Sequence, residues 1–431
     1  MDRQDGSPTG YQKLSVVDDP NATLLEDELG GSQRPLSARE ERTSRIQFYS
    51  LCCSLFIIGW NDGSTGPLLP RIHEVYKVGF DTLSWIFVLS CSGSVVGALL
   101  NMPLGDKFGI GKMLVIGAGL QAGGFAIQSM GLPFPLFAIS FAASGIGISI
   151  QDAQANGFIA IVRHEGEKKM GLLHAAYGVG ALVAPLVATQ FAQIKYWSLH
   201  YAVSLIFAIV NGLVQAVVFK FQDQDENLLR AGEFVPEKEV EEKSNKYSQL
   251  LRLKSVHFLT LFLVLYVGTE VTIGGWIVSI MVYERGGGAS AGYIASGFFG
   301  GMTVGRVALL KVNKMIGEIR AIYVYTCVSI LLQLVVWLVP SLVINAIAVS
   351  FIGVLFGPMY PIAISHAGRV IPRTLVTGAI GWITACAAAG AALMPFITGM
   401  VAGKLGIGYL PPLILGMMMI MGGSWALVPK E

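Results

Sequence analysis

Twelve runs of about twenty mostly apolar residues divide this chain of 431 residues: 46–67, 83–104, 112–131, 133–161, 170–193, 198–220, 255–282, 290–311, 319–339, 341–366, 374–400 and 407–428. A helix needs about 20 such residues to cross the hydrocarbon core of a bilayer. Within lipid every backbone N–H and C=O must be satisfied inside the protein, so runs of this length specify helices. Only 13% of the residues are charged, against about 25% in a soluble domain, and the mean hydropathy is +0.61. The prediction is an all-α polytopic membrane protein with twelve transmembrane helices.

The runs come in two sets of six. Asp62 and Glu270 each lie inside an apolar run and are each followed four residues later by glycine, Gly66 and Gly274. The two acids are 208 residues apart (62 to 270), and so are Gly93 and Gly97 from Gly301 and Gly305. Gly180–Pro185 and Gly390–Pro395 repeat at a spacing of 210 (180 to 390). This spacing predicts two pseudo-symmetric six-helix bundles, at 46–220 and 255–431. Between them, residues 221–254 carry many Asp, Glu and Lys and form a solvated linker with room for a short helix. Residues 1–45 are polar and rich in Gly, Pro, Ser and acids, a composition that predicts a disordered tail.

Lys and Arg distribute unequally over the segments between runs. With both termini on one side, 25 fall there and 5 on the other; short loops alone give 11 against 5. Positive charge favours the cytosol, so both termini are expected to be cytosolic, and a plasma membrane is expected ahead of a vacuole. Net charge is +2, and with no basic stripe or reader motif no nucleic acid partner is expected. Cys52, Cys53, Cys91, Cys327 and Cys386 lie in apolar runs without metal-ligand spacing. There is no Walker motif and no Ser/His/Asp arrangement, so neither ATP hydrolysis nor another enzyme activity is expected, nor any cofactor or metal. A monomer is the expected state.

Ionisable residues within spans are costly and mark ion or substrate pathways. Withdrawal from water favours the neutral form of a carboxylic acid, which makes Asp62, Asp152 and Glu270 candidate proton carriers. Asp152 and Asn156 share a helix face one turn apart, flanked by Gln151 and Gln154. Amides and carboxylates of this kind suit the hydroxyls of a sugar or polyol; interhelical hydrogen bonding is the competing reading. Asn61 adjoins Asp62. His174 and Tyr177, three residues apart, form one stripe of the fifth run, where the imidazole can relay a proton or bind solute. Trp276 follows Gly274-Gly275, and its indole can stack on a sugar ring or simply fill the core.

Gly105-Asp106-Lys107-Phe108-Gly109, at the end of the second run, resembles the signature loop of the major facilitator superfamily. Arg306 follows Gly305 at the repeated position. In that family the loop holds a gate shut through charged contacts, so the resemblance implies gating roles for Asp106, Lys107 and Arg306. GWNDGSTGPLLPRI, QDAQANGFI, GLLHAAYGVGALVAPL, YVGTEVTIGGWI and FGPMYP further resemble the fucose–galactose–glucose:proton symporter branch and its fungal relatives. Asp152 falls where that branch has a glutamate and His174 where it has a glutamine. Gly66 stands where the branch has its first-span aspartate, and Asp62 lies one turn earlier. The resemblance implies a secondary transporter working by alternating access, with protons and a small polar solute such as a sugar as its partners in the bilayer. Proton-driven export of a metabolite or drug is the alternative; a membrane sensor on a transporter fold is another.

Overall fold

The computed structural model describes residues 36–162, 164–233 and 249–430, apart from the side chains of Met102, Glu167, Ala289, Arg373, Thr374 and Thr377. The expectation for most of the tail and for the middle of the linker lies outside these residues. The helix of span 1, however, already begins at Ala38 and runs to Tyr76, so the end of the expected tail is helical. Its start is set by a capping box, in which Ser37 and Glu40 satisfy each other's backbone N–H groups. Span 1 carries Asn61, Asp62, Ser64 and Thr65, and it is absent from the ten helices that are long and apolar enough to cross a membrane on composition alone. Its 39 residues extend about 58 Å at 1.5 Å per residue, ample for a crossing.

Spans 2 and 3 lie within Trp85–Ser129, broken at Gly109, whose φ of 73° and ψ of 166° are open to glycine alone. Gly145 packs on Ser90 and Gly147 on Gly117, so residues 90 and 117 sit at similar depth and the chain reverses between them. Asp106 and Lys107 remain in the helix, and the turn expected over Gly105–Gly109 contracts to its last residue. Spans 4, 5 and 6 are Phe134–Ile161, Gly166–Ala192 and Leu199–Phe219. A short linker helix, Gln224–Arg230, docks beneath this half: Gln47 Nε2 donates to Asn227 O at 3.1 Å.

Span 7 is Lys254–Glu284. Span 8, Tyr293–Ala308, bends by 58° into Leu310–Ile316. Span 9 is Glu318–Leu338, and span 10 comprises Leu342–Phe356 and Met359–Val370. Spans 11 and 12 are Arg373–Leu405 and Leu410–Leu427. Val217, Val307, Leu338 and Val343 present apolar side chains outward, as a lipid-facing surface requires.

The duplication seen in the sequence is a duplication of helix contacts. Gly145 meets the Ser90 carbonyl between spans 4 and 2, and Gly353 meets the Phe298 carbonyl between spans 10 and 8. Gly180 meets the Phe56 carbonyl between spans 5 and 1, while Gly390 meets that of Val264 between spans 11 and 7. A side chain at any of these glycines would strike backbone, so the small residue sets the helix separation.

The described ends lie on one face, called the terminal face below: Leu36 packs on Gly232, and Pro429 O pairs with His366 Nε2 at 2.7 Å. The halves meet toward the opposite, distal face. Phe80 packs edge-on to Trp276 and Tyr283, with ring centres 5.9 and 5.6 Å apart, and Trp85 packs on Phe396 at 5.1 Å. Gln190 donates to the Tyr293 hydroxyl, and Gly399 and Gly403 lie against the Phe80–Ser84 segment. Nearer mid-depth, Cys91 Sγ donates to Ala388 O at 3.0 Å and Gly178 meets Thr303. Among the described residues, the hydrogen bonds and ring contacts that join the halves are mid-depth or distal.

Candidate functional site: a polar cavity between the halves

Beneath the distal seal is a cavity of about 200 Å³. Span 1 lines it with Asn61, Asp62 and Thr65, and span 2 with Phe87, Ser90, Cys91 and Ser94. Tyr177 enters from span 5, Glu270 and Val271 from span 7, and Phe299 from span 8. Asp62 and Glu270, the duplicated acids, therefore face one space from opposite halves. Asp62 is exposed by surface area, and that exposure is to this internal space.

Local sequence explains how each acid gets there. Gly63 and Gly66 let the Ala181 and Gly274 backbones close on span 1, and Asp62 is carried between them. Gly274 accepts the Phe299 ring, which brings span 8 against the turn that carries Glu270. The Tyr177 hydroxyl donates to Asp62 Oδ2 at 2.9 Å and the Asn61 amide to Oδ1 at 3.3 Å. The Tyr266 hydroxyl lies beside Glu270 and donates to Phe356 O at 3.0 Å.

Asp152 is half-buried and within electrostatic reach of Asp62. Asn156 Nδ2 donates to Asp152 Oδ1 and to its carbonyl, both at 2.9 Å, so this pair shares a face as expected. His174 and Arg306 lie within electrostatic reach of each other.

Other expected site residues are placed elsewhere. Gln151 is fully buried inside the N-terminal half: its Nε2 donates to Leu114 O at 2.9 Å, and its Oε1 accepts from Gln121 and Asn211, each at 3.1 Å. Gln154 donates to Asn101 Oδ1 at 2.8 Å. Both amides tie helices together. Trp276 is also fully buried, and its Nε1 donates to Pro395 O at 3.0 Å. It stands behind Phe87 as part of the distal seal (ring centres 5.9 Å apart) and does not line the cavity. Asp106 and Lys107 are exposed; Lys107 lies over the Phe108 ring at 5.4 Å and makes no gate-closing ion pair among the described residues. Arg306, expected in the charged gate, is on span 8, within electrostatic reach of Glu270, Tyr266, Tyr177, His174 and Tyr360.

The sequence reading missed Ser90, Ser94, Tyr266 and Tyr360. Ser90 and Ser94 are one turn apart, as are Tyr266 and Glu270, a periodicity that could have flagged them.

Twelve spans in two matched halves surround a shared, largely apolar cavity into which each half places one acid, the architecture of a secondary transporter. Residues 51–395 match the Major Facilitator Superfamily, and the chain belongs to that superfamily. It is an integral multi-pass membrane protein whose substrate is a small molecule; the family and its structural neighbours are transporters, not enzymes. The chain is 29% identical over 422 residues to "Bypass of stop codon protein 6" of Saccharomyces cerevisiae, covering 92% of this chain and 85% of that protein. It is 22% identical over 345 residues to the glucose/mannose transporter GlcP of Bacillus subtilis, covering 80% and 85%. In fold it is similar to a D-xylose-proton symporter (TM-score 0.72, 13% identity, 89% of this chain and 97% of that one). It is also similar to the Escherichia coli fucose:proton symporter FucP (TM-score 0.56, 16% identity, 87% and 97%).

Proposed function

We propose that this protein moves a neutral polyhydroxylated solute of hexose size together with protons, by alternating access of the central cavity. The observation that carries this reading is the pairing of Asp62 and Glu270 across that cavity, with the Tyr177 hydroxyl on Asp62. A carboxylate that exchanges a proton while its cavity changes sides links solute movement to a pH gradient. Asn61, Thr65, Ser90 and Ser94 offer hydrogen bonds to hydroxyls, and Phe87, Phe299 and Tyr177 offer ring faces to the C–H side of a sugar. The sugar transporters named above support the substrate class. The positive-charge bias supports cytosolic termini, an orientation in which this conformation has its inter-half contacts toward the outside. Residence in the plasma membrane and a monomeric state belong to the same proposal.

The test is uptake of radiolabelled D-glucose, D-xylose and L-fucose into proteoliposomes under an imposed pH gradient, with sodium replaced by choline. Accumulation that follows the proton gradient is expected for at least one sugar. Asp62→Asn and Asp152→Asn should fold normally and lose that accumulation, and Glu270→Gln should lose it as well. Parental rates in all three variants would end the proton-path reading. Accumulation driven only by sodium would replace the coupling ion, and sugar binding without flux would favour a sensor. Flux that runs only against the proton flow would indicate export by exchange.

A further inference from the structure

Arg306 is a cation in a membrane span with no hydrogen-bond or ion-pair partner among the described residues, and its Nε is buried and unpartnered. Intramembrane arginines ordinarily pair with an acid or with backbone carbonyls. Helix geometry indicates the partner. Spans 7 and 8 run antiparallel and touch where Gly274 meets the Phe299 ring. Glu270 lies four residues from Gly274 toward the terminal face, about 6 Å along its helix, and Arg306 lies seven residues from Phe299 in the same direction, about 10 Å along its own. Side chains on a helix lean toward its N-terminus. For span 7 that carries Glu270 toward the terminal face; for span 8 it carries Arg306 back toward the cavity. The two lean into the offset between them.

The charges are unevenly distributed over the acids. Arg306 and Asp62 both act on Glu270, whereas Asp62 holds the hydrogen bonds from Tyr177 and Asn61, and the charge acting on Asp152 is that of Asp62. Around Arg306 the facing titratable groups are His174 and Tyr177 on span 5, Tyr266 and Glu270 on span 7, and Tyr360 on span 10. Glu270 is the carboxylate in this set, so a single cation serves a single acid. Asp62 faces the same cavity with neutral donors alone.

Building on the proton-coupled reading above, we propose that Arg306 is the counter-charge of Glu270, leaving Asp62, which is held by neutral donors, as the cavity carboxylate that takes up the transported proton. Arg306 is thus a positioning residue for coupling. Removing either member of the pair strands the other charge in a span, while removing both strands neither.

The experiment is a double-mutant cycle with full-length protein, using Arg306→Gln, Glu270→Gln and the pair. Two readouts are followed: thermal stability in detergent at several pH values, and pH-gradient-driven accumulation of D-glucose, with D-glucose counterflow at zero gradient as the control. Each single variant should lower accumulation by at least about tenfold and reduce the melting temperature, because an unpaired buried charge is strongly unfavourable. The double variant should recover to within about threefold of the parent, melt closer to it than either single variant, and keep its dependence on the gradient. Asp62→Asn in the double background should abolish accumulation and leave counterflow. Additive melting losses, or a double variant no better than Arg306→Gln, would overturn the pairing. A double variant whose counterflow persists but whose accumulation ignores pH would make Glu270 the proton carrier. If the parent itself fails to accumulate D-glucose, the coupling reading fails for that sugar, and the melting cycle alone decides the pairing.

Discussion

Gly399→Val should drive the distal seal open. A Cβ at Gly399 would lie 2.8 Å from Trp276 Cζ2 and 2.9 Å from Phe80 O, and closer still to Ser84 Cβ. Two of these neighbours belong to the other half, and Phe80 O is backbone, so a rotamer change cannot relieve the overlap. Overpacking of this kind costs about 1–3 kcal/mol. The strain exists only while the halves touch distally, so the distal-open population should rise about 5- to 150-fold relative to the distal-closed one. The native Cys91 thiol reports the change, because it lines the cavity and its bond to Ala388 O spans the halves at 3.0 Å. With Cys52, Cys53, Cys327 and Cys386 replaced by Ser, an impermeant maleimide is applied to oriented proteoliposomes from each face in turn. The parent should label from the terminal face; the variant should label from the distal face, at least about fivefold faster than the parent does there. Gly416→Val, where a Cβ meets nothing within 4 Å, is the control and should behave as the parent. Unchanged labelling in a folded Gly399→Val protein would refute the claim that this contact seals the cavity.

Three smaller perturbations separate structural residues from those of the site. Gln151→Leu removes hydrogen bonds to Leu114, Gln121 and Asn211 and should destabilise the protein by about 1–3 kcal/mol, read as a lower melting temperature with the sugar KM unchanged. Trp276→Phe keeps the ring but loses the bond to Pro395 O; it should cost about 1 kcal/mol of stability and leave sugar affinity intact, whereas a large rise in KM would restore a binding role. Tyr177→Phe removes the hydroxyl from Asp62 and should shift the pH profile of accumulation while counterflow persists; an identical profile would separate Tyr177 from proton handling.

The sequence of this protein carries its architecture because lipid allows few solutions. Runs of about twenty apolar residues must become helices, and the repeat of Gly93 and Gly97 as Gly301 and Gly305 becomes a repeat of close helix contacts. Asp62 and Glu270 were legible for the same reason: an acid in an apolar run is conspicuous, and its copy 208 residues on more so. Direction around a helix was not legible. Gln151 and Asp152 are neighbours in sequence, yet one is locked among spans 3, 4 and 6 and the other is within electrostatic reach of Asp62, because one residue turns a helical side chain by about 100°. Depth was likewise hidden. Arg306 sits where a repeated loop motif suggested a surface gate, but it lies within span 8, before the bend after Ala308, and its side chain leans back toward the cavity. Trp276 could fill a core or stack on a solute, and the choice fell to Pro395 of its own half and Phe80 of the other, which are remote in sequence and adjacent only in the packed structure. Composition and periodicity determine which segments enter the membrane, while the contacts between segments decide which of their polar groups face one another.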